Sequence, residues 1–375
     1  MQVAWFMVWF YFLALFGACD RRGEAPLAIG VRTGTVGVPV YDAALVEVVA
    51  QDDDAGGHDE PVAALGPDTQ DPSICPDGFL RGTADKVTRR LAVLDPSPEG
   101  VGACANGDVF AGAGEQLWRI PLDGKAPEPF AKLPGRSLEG IVCDDRGRIF
   151  VADIAAYNAI LGGTEPALPP AVLMLEGDGH GEPVALVVQD PPVQLTGYNG
   201  LLWIPDRGIY TTDMGAGVIV RFEETASGGF EGSVLQDGLP GANGLAYDPR
   251  TKTLYVVLTG LINETGIADS SVESFPLHDD GTLGPRTTFW TSPNWLDGAD
   301  GLAIDEEGVL YRANQLSGTV SRMSDEAVVA RVPNPASVAF RGGTLLITDF
   351  KLLGALQGPG GVYAVDLGVC GGPLR

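Results

Sequence analysis

The chain is short of positive charge. It carries 24 Lys and Arg against 49 Asp and Glu, a formal net charge of −25. No basic patch interrupts this balance. Nucleic acid is thereby excluded as a partner, because phosphate binding needs clustered Lys and Arg. The 5 cysteines (Cys19, Cys75, Cys104, Cys143, Cys370) include no Cys-x-x-Cys pair, which argues against a zinc ribbon or a thioredoxin motif. Only 3 histidines are present. Residues 1–18 lack any charged side chain.

What those first residues have is an unbroken apolar run, Val3 to Phe16, followed by Gly17, Ala18 and Cys19. The run is short for a membrane span and has the length of a signal-peptide core. Phe16-Gly17-Ala18-Cys19 resembles a bacterial lipobox, in which the Cys is lipidated and becomes the new N-terminus. Phe16 departs from the preferred Leu, and no Lys or Arg precedes the run. The expectation is export to the periplasm or beyond, with membrane attachment through a lipidated Cys19. Residues 19–74 hold Asp52-Asp53-Asp54, Gly56-Gly57 and many Pro and Ala, and read as a largely disordered tether. The folded domain is expected over residues 75–370.

Gly and Pro are abundant, at 52 and 28 residues, which suits many short strands joined by turns. From Glu99 onward one unit recurs. A polar residue, usually followed by Gly, opens a short apolar strand; a turn and a second apolar strand follow. The starts are Glu99, Glu139, Asn199, Asn243, Asp300 and Ser337, roughly 40–60 residues apart. Such a period marks the blades of a β-propeller, here six blades of four antiparallel strands, an all-β fold. Insertions are expected at Ala156–Pro170 and Leu261–Ser270. Ring closure would pair the stretch Arg89 to Leu94 with Gly361 to Val365. The chain is expected to act as a monomer.

Equivalent positions in successive blades lie at one height around the axis. The six starts therefore aim three carboxylates, two amides and one hydroxyl at one point. Crowded carboxylates must be protonated or neutralised by a cation. Oxygen donors without Cys or His favour calcium or magnesium over zinc. The competing reading is that these residues cap turns, since Asn-Gly and Asp-Gly are common turn pairs. None of His58, His180 and His278 stands at a start, so a histidine base is not expected.

Pro98-Glu99-Gly100, Ala242-Asn243-Gly244-Leu245, Asp300-Gly301-Leu302-Ala303-Ile304-Asp305 and Pro335-Ala336-Ser337-Val338-Ala339-Phe340 occur in this order. They resemble the senescence-marker-protein/gluconolactonase propellers and, more distantly, the paraoxonases and strictosidine-synthase-like proteins. The resemblance covers about residues 80–368. It implies that Glu99, Asn199, Asn243 and Asp300 hold a divalent metal, calcium first. It also implies a lactonase or esterase acting on a small-molecule substrate, with Asp300 as base. Glu139 is not carried over from the family but is a second candidate base.

Two features depart from the family. Paraoxonases place a His pair near the metal. Gluconolactonases carry an Arg just before the blade-three Asn, where this chain has Thr196-Gly197-Tyr198-Asn199. Sugar-acid lactones are therefore not the expected substrates, and Tyr198 is the candidate contact for something less charged. A disulfide between Cys75 and Cys370 is expected at ring closure, as a similar bridge occurs in paraoxonases. Cys104 aligns with Asp144 when Gly107 is set on Gly147, so Cys104 and Cys143 are expected to stay unpaired. The main alternative is a non-catalytic exported propeller whose structural metal supports a ligand site on its top face. A condensing enzyme without metal is a weaker third reading.

Overall fold

The computed structural model describes residues 87–372, except 162–163, 180, 261, 264–265, 268–269, 293–296 and 352–357. Residues 1–86, with Cys19, Cys75 and the tether, lie outside the described residues, as does His180. Six four-stranded antiparallel sheets make up the fold. In blade three, for example, Tyr198–Ile204, Gly208–Asp213, Val218–Glu224 and Phe230–Gln236 follow one another outward. The sixth blade is completed from the other end of the chain. Arg89–Leu94 pairs with Gly360–Asp366, as the ring-closure expectation required.

Burial explains why so much of the sequence is apolar without long alternation. The second strand of each blade is covered on both faces by its neighbours. Val109–Ala113, Ile149–Asp153 and Thr344–Asp349 are buried at every position. The outermost strands, such as Glu128–Lys132 and Thr287–Thr291, face solvent and mix polar with apolar side chains. Among the described residues, six apolar clusters fill the six interfaces between neighbouring blades.

The hairpin after each inner strand has a sequence cause. Asp144 Oδ1 accepts from the backbone of Arg146 and Arg148, and Asp305 Oδ1 accepts from Glu307 and Val309. Each thereby replaces backbone partners in a tight turn that ends on a glycine, Gly147 or Gly308, with φ near +79°. Both expected insertions fall between second and third strands. One holds the single helix among the described residues, Ala155–Leu161, and the other a two-residue ribbon, Ile262–Asn263 with Gly266–Ile267.

The cysteines require a correction. Cys104 and Cys143 form a disulfide, with Cα atoms 5.1 Å apart. The equivalence of Cys104 with Asp144 holds, since both backbone N–H groups play the same part in the turn, donating to Asp108 O and Arg148 O. Residues out of equivalence can nevertheless meet, because neighbouring blades are offset. Inner strands of blades one and two lie with Gly100 against Glu139 and Gly102 against Ile141. Continued by two residues, this offset sets Cys104 against Cys143. Cys370 is also disulfide-bonded. Cys75, its expected partner, lies outside the described residues.

Candidate functional site

Glu139, Asn199, Asn243 and Asp300 are each the second residue of an inner strand: Leu138–Cys143, Tyr198–Ile204, Ala242–Asp248 and Ala299–Ile304. Glu99 lies two residues before the inner strand Val101–Ala103 of blade one, separated from it by Gly100. The pairing to the second strand slips at the same place in these four blades, between Leu138 and Ile141, Tyr198 and Leu201, Ala242 and Leu245, and Ala299 and Leu302. A bulge of this kind re-aims the side chain it contains. All five polar residues are buried.

The glycine that follows each of them has a packing role. A Cβ on Gly140 would stand 2.7 Å from Leu201 N, and one on Gly244 the same distance from Leu302 N. Inner strands of neighbouring blades approach too closely there for any side chain. The Asn-Gly and Asp-Gly pairs are thus not turns here. They lie within strands and hold the ring narrow.

Register corrects the sixth position. In blade six the slip brackets Ala336 and Ser337, between Pro335 and Val338. Phe350 N bonds Asn334 O, as Ile154 N bonds Ser137 O and Gln315 N bonds Gly298 O. In each case the acceptor lies two residues before the inward position, which makes Ala336 the equivalent of Asp300. Ser337 occupies the glycine slot. The ring therefore comprises three carboxylates, two amides and a methyl group.

Glu99, Asn199, Asn243 and Asp300 line one end of an axial cavity of about 980 Å³. It continues past the aliphatic side chains of Val101, Ile141, Leu201, Leu245, Leu302 and Val338 toward the turns at the far end. Glu139 is not among its lining residues; its carboxyl is hydrogen-bonded to that of Glu99. Burial pushes Glu99 up, with the bond to Glu139 opposing the shift. Burial drives Glu139 well above the ordinary carboxylate range, and the charges of Glu99, Asp300 and Asp153 drive it further. Asp300 is raised well above its usual value by burial and by Glu99, with a hydrogen bond from Asn243 opposing. Among the described residues, no cationic side chain offsets the shift of any of the three.

Without a counter-charge these carboxyls favour the protonated form. A hard divalent cation is the alternative partner, and two carboxylates with two amide oxygens are donors suited to calcium or magnesium. The donor set fits such an ion. Among the described residues no group of three or more His, Cys, Asp and Glu side chains alone is arranged as a metal cage. The amides of Asn199 and Asn243 are therefore integral to the candidate set.

Tyr198 is placed differently from the expectation. Its side chain is fully buried in the cluster between blades two and three, edge-on to Phe222 with ring centroids 5.9 Å apart. One residue before Asn199, it points into the blade interface and contacts no ligand space. Burial and the nearby Asp213 push its hydroxyl up.

Further residues away from the repeat starts support the ring. Thr212 Oγ1 donates to Asn243 O at 2.7 Å, and Thr348 Oγ1 donates to Glu99 O. These threonines fix the carbonyls of the next blade's inward residues. Asp153 accepts from Ser137 N at 2.9 Å, and Asp213 from Thr196 N at 2.6 Å and Gly197 N at 3.1 Å. They hold the segments entering Glu139 and Asn199. An Asp closing the second strand in three blades, at 153, 213 and 349, was the available signal.

Residues 227–350 match the family model for the SMP-30/Gluconolactonase/LRE-like region. This segment includes Asn243 and Asp300, so the resemblance drawn from the motifs stands. A gluconolactonase structure from Xanthomonas campestris shares 19% identity, with 82% of this chain and 99% of that chain covered and a TM-score of 0.57. A luciferin-regenerating enzyme shares 18% identity over 77% of this chain and 98% of that one, with a TM-score of 0.58. At these identities the likeness establishes the propeller fold. No curated protein matches the chain.

Proposed function

We propose that this chain is a divalent-metal-dependent hydrolase of a lactone or ester, with calcium as its metal. The reading is supported by Glu99, Asn199, Asn243 and Asp300 lining one end of a single cavity, with a third buried carboxyl, Glu139, beside Glu99 and, among the described residues, no cationic side chain offsetting the three acids. The family match and the likeness to a gluconolactonase support the reaction class. Glu99, Asn199, Asn243 and Asp300 would hold the ion. A divalent cation bound there supplies positive charge that polarises a carbonyl and favours its developing oxyanion.

The chain's own groups do the rest. Asp300 lines the cavity and is the first candidate to accept a proton from the attacking water. Its raised proton affinity suits a base working near neutral pH. Glu139 is bound to Glu99 and set back from the cavity, so it serves better as a proton reservoir or orienting group. The absence of Arg beside Asn199 and the aliphatic wall beyond the ring favour an uncharged, less polar substrate over a sugar acid.

Export belongs to the same reading. The Cys104–Cys143 disulfide suits an oxidising compartment. Mass spectrometry of the native protein should find an acylated Cys19 as the N-terminus, whereas cleavage elsewhere would mean ordinary secretion.

The test is a panel of aliphatic lactones and aryl esters, assayed with calcium, with chelator, and after calcium is restored. Hydrolysis that is lost and regained supports the proposal. Tight calcium binding with no cleavage across the panel would instead make the protein a ligand-binding propeller with a structural metal.

A further inference from the structure

Asn243 can serve a cation only through Oδ1, and an amide side chain can present either end to the axis. Something must decide which. Asn243 Nδ2 lies 3.1 Å from Thr259 Oγ1 and 3.9 Å from Met214 Sδ. Thr259 Oγ1 is also 2.7 Å from Ala299 O. A hydroxyl has one hydrogen to donate. A carbonyl at that distance can only accept, so the Thr259 hydrogen is committed to Ala299. The hydroxyl then has only lone pairs to offer Asn243. The amide must turn its Nδ2 toward Thr259, where one of its two hydrogens goes to the hydroxyl and the other is free for the Asp300 carboxylate, and Oδ1 is left as the acceptor for a cation.

The same hydroxyl reaches the next blade. Ala299 immediately precedes Asp300, and both of its backbone groups are held from blade four: its carbonyl by Thr259, and its N–H by the buried Ser270 Oγ at 3.1 Å. Thr259 thus ties the orientation of one axial residue to the backbone of another. Ile154, Gln315 and Phe350 occupy the equivalent slot in blades two, five and six, each bonding the carbonyl two residues before the inward position, as Thr259 N bonds Gly241 O. None of them carries a hydroxyl.

We infer that Thr259 is a positioning residue that sets the amide of Asn243 with its oxygen toward the axis and couples it to Asp300. This rests on the reading of the ring as a cation site, and two independent measurements separate the inference from that reading.

The first uses the metal-free protein. The side-chain amide resonances of Asn243, assigned by their loss in Asn243→Ala, should shift in Thr259→Val and hold in Thr259→Ser. The second is calcium titration by calorimetry. Thr259→Val should weaken calcium roughly tenfold, the scale of an outer-shell partner, and Thr259→Ser should restore it. In an Asn243→Asp background both ends of the side chain are oxygen, so adding Thr259→Val should change calcium affinity less than about twofold. An equal loss in both backgrounds would overturn the positioning role, as would unmoved resonances in Thr259→Val. Wild-type protein that binds no calcium would overturn the cation reading while the resonances still decide the orientation.

Discussion

Asp300 and Glu139 differ in what surrounds them, and that difference predicts how they respond to substitution. Asp300 lines the cavity and is hydrogen-bonded by Asn243; Glu139 is held by Glu99. Asp300→Ala should abolish calcium binding in a titration and any hydrolysis with it. Asp300→Asn keeps an oxygen donor but cannot take a proton, so kcat should fall by about 10²–10⁴. Full activity in that variant would move the base to Glu139. The raised carboxyls also make a statement about stability. A buried acid with a folded pKa above its unfolded value binds more protons when native, so stability declines as pH rises through that window. In chelator, the melting temperature of wild type should therefore fall as pH rises above the ordinary carboxylate range, and Glu139→Gln should fall less. Saturating calcium should flatten the wild-type slope by competing with protons.

At the scale of the strand, the inner edge of each blade is set by what its neighbour allows. The repeated bulge turns one side chain inward, and the following glycine admits the next backbone. Gly244→Ala forces a Cβ into the backbone of blade five, where nothing flexible can yield. A loss of more than about 2 kcal/mol in urea unfolding is expected. Gly147→Ala is the contrast. A Cβ there meets nothing within 4 Å, and only the left-handed φ of +79° opposes it. Its cost should be about 1 kcal/mol.

The ring is closed by the pairing of Arg89–Leu94 with Gly360–Asp366, and a disulfide ties two neighbouring blades together covalently. The Cys104–Cys143 bridge spans a separation of 39 residues and staples the inner strands of blades one and two. Chain-entropy reasoning for such a loop gives about 4 kcal/mol. Cys104→Ser should lower the urea midpoint accordingly, and dithiothreitol should lower it more in wild type than in the variant, where the bridge at Cys370 is left to reduce. A variant that unfolds like wild type would mean the bridge contributes no net stability.

Six repeat starts, their order and the strand-turn-strand pattern were enough to specify a six-bladed propeller with Arg89–Leu94 as its closing strand. Local pattern suffices because every blade solves the same burial problem with nearest neighbours only. The same repetition made Glu99, Glu139, Asn199, Asn243 and Asp300 legible, since rotational equivalence turns a sequence period into a point in space. What the period could not supply was the offset between blades. That offset is a packing property of two strands that share no backbone pairing, and it decided that Cys104 meets Cys143. A one-residue choice among Pro335, Ala336 and Ser337 likewise needed the observed register, because Ser337 satisfies the polar pattern while Ala336 holds the place. The fate of Tyr198 was tertiary too: a side chain beside a site residue in sequence points into the opposite environment once the strand alternates. Thr259 became significant only when folding brought its single hydroxyl between Asn243 and Ala299, residues 16 and 40 positions away along the chain.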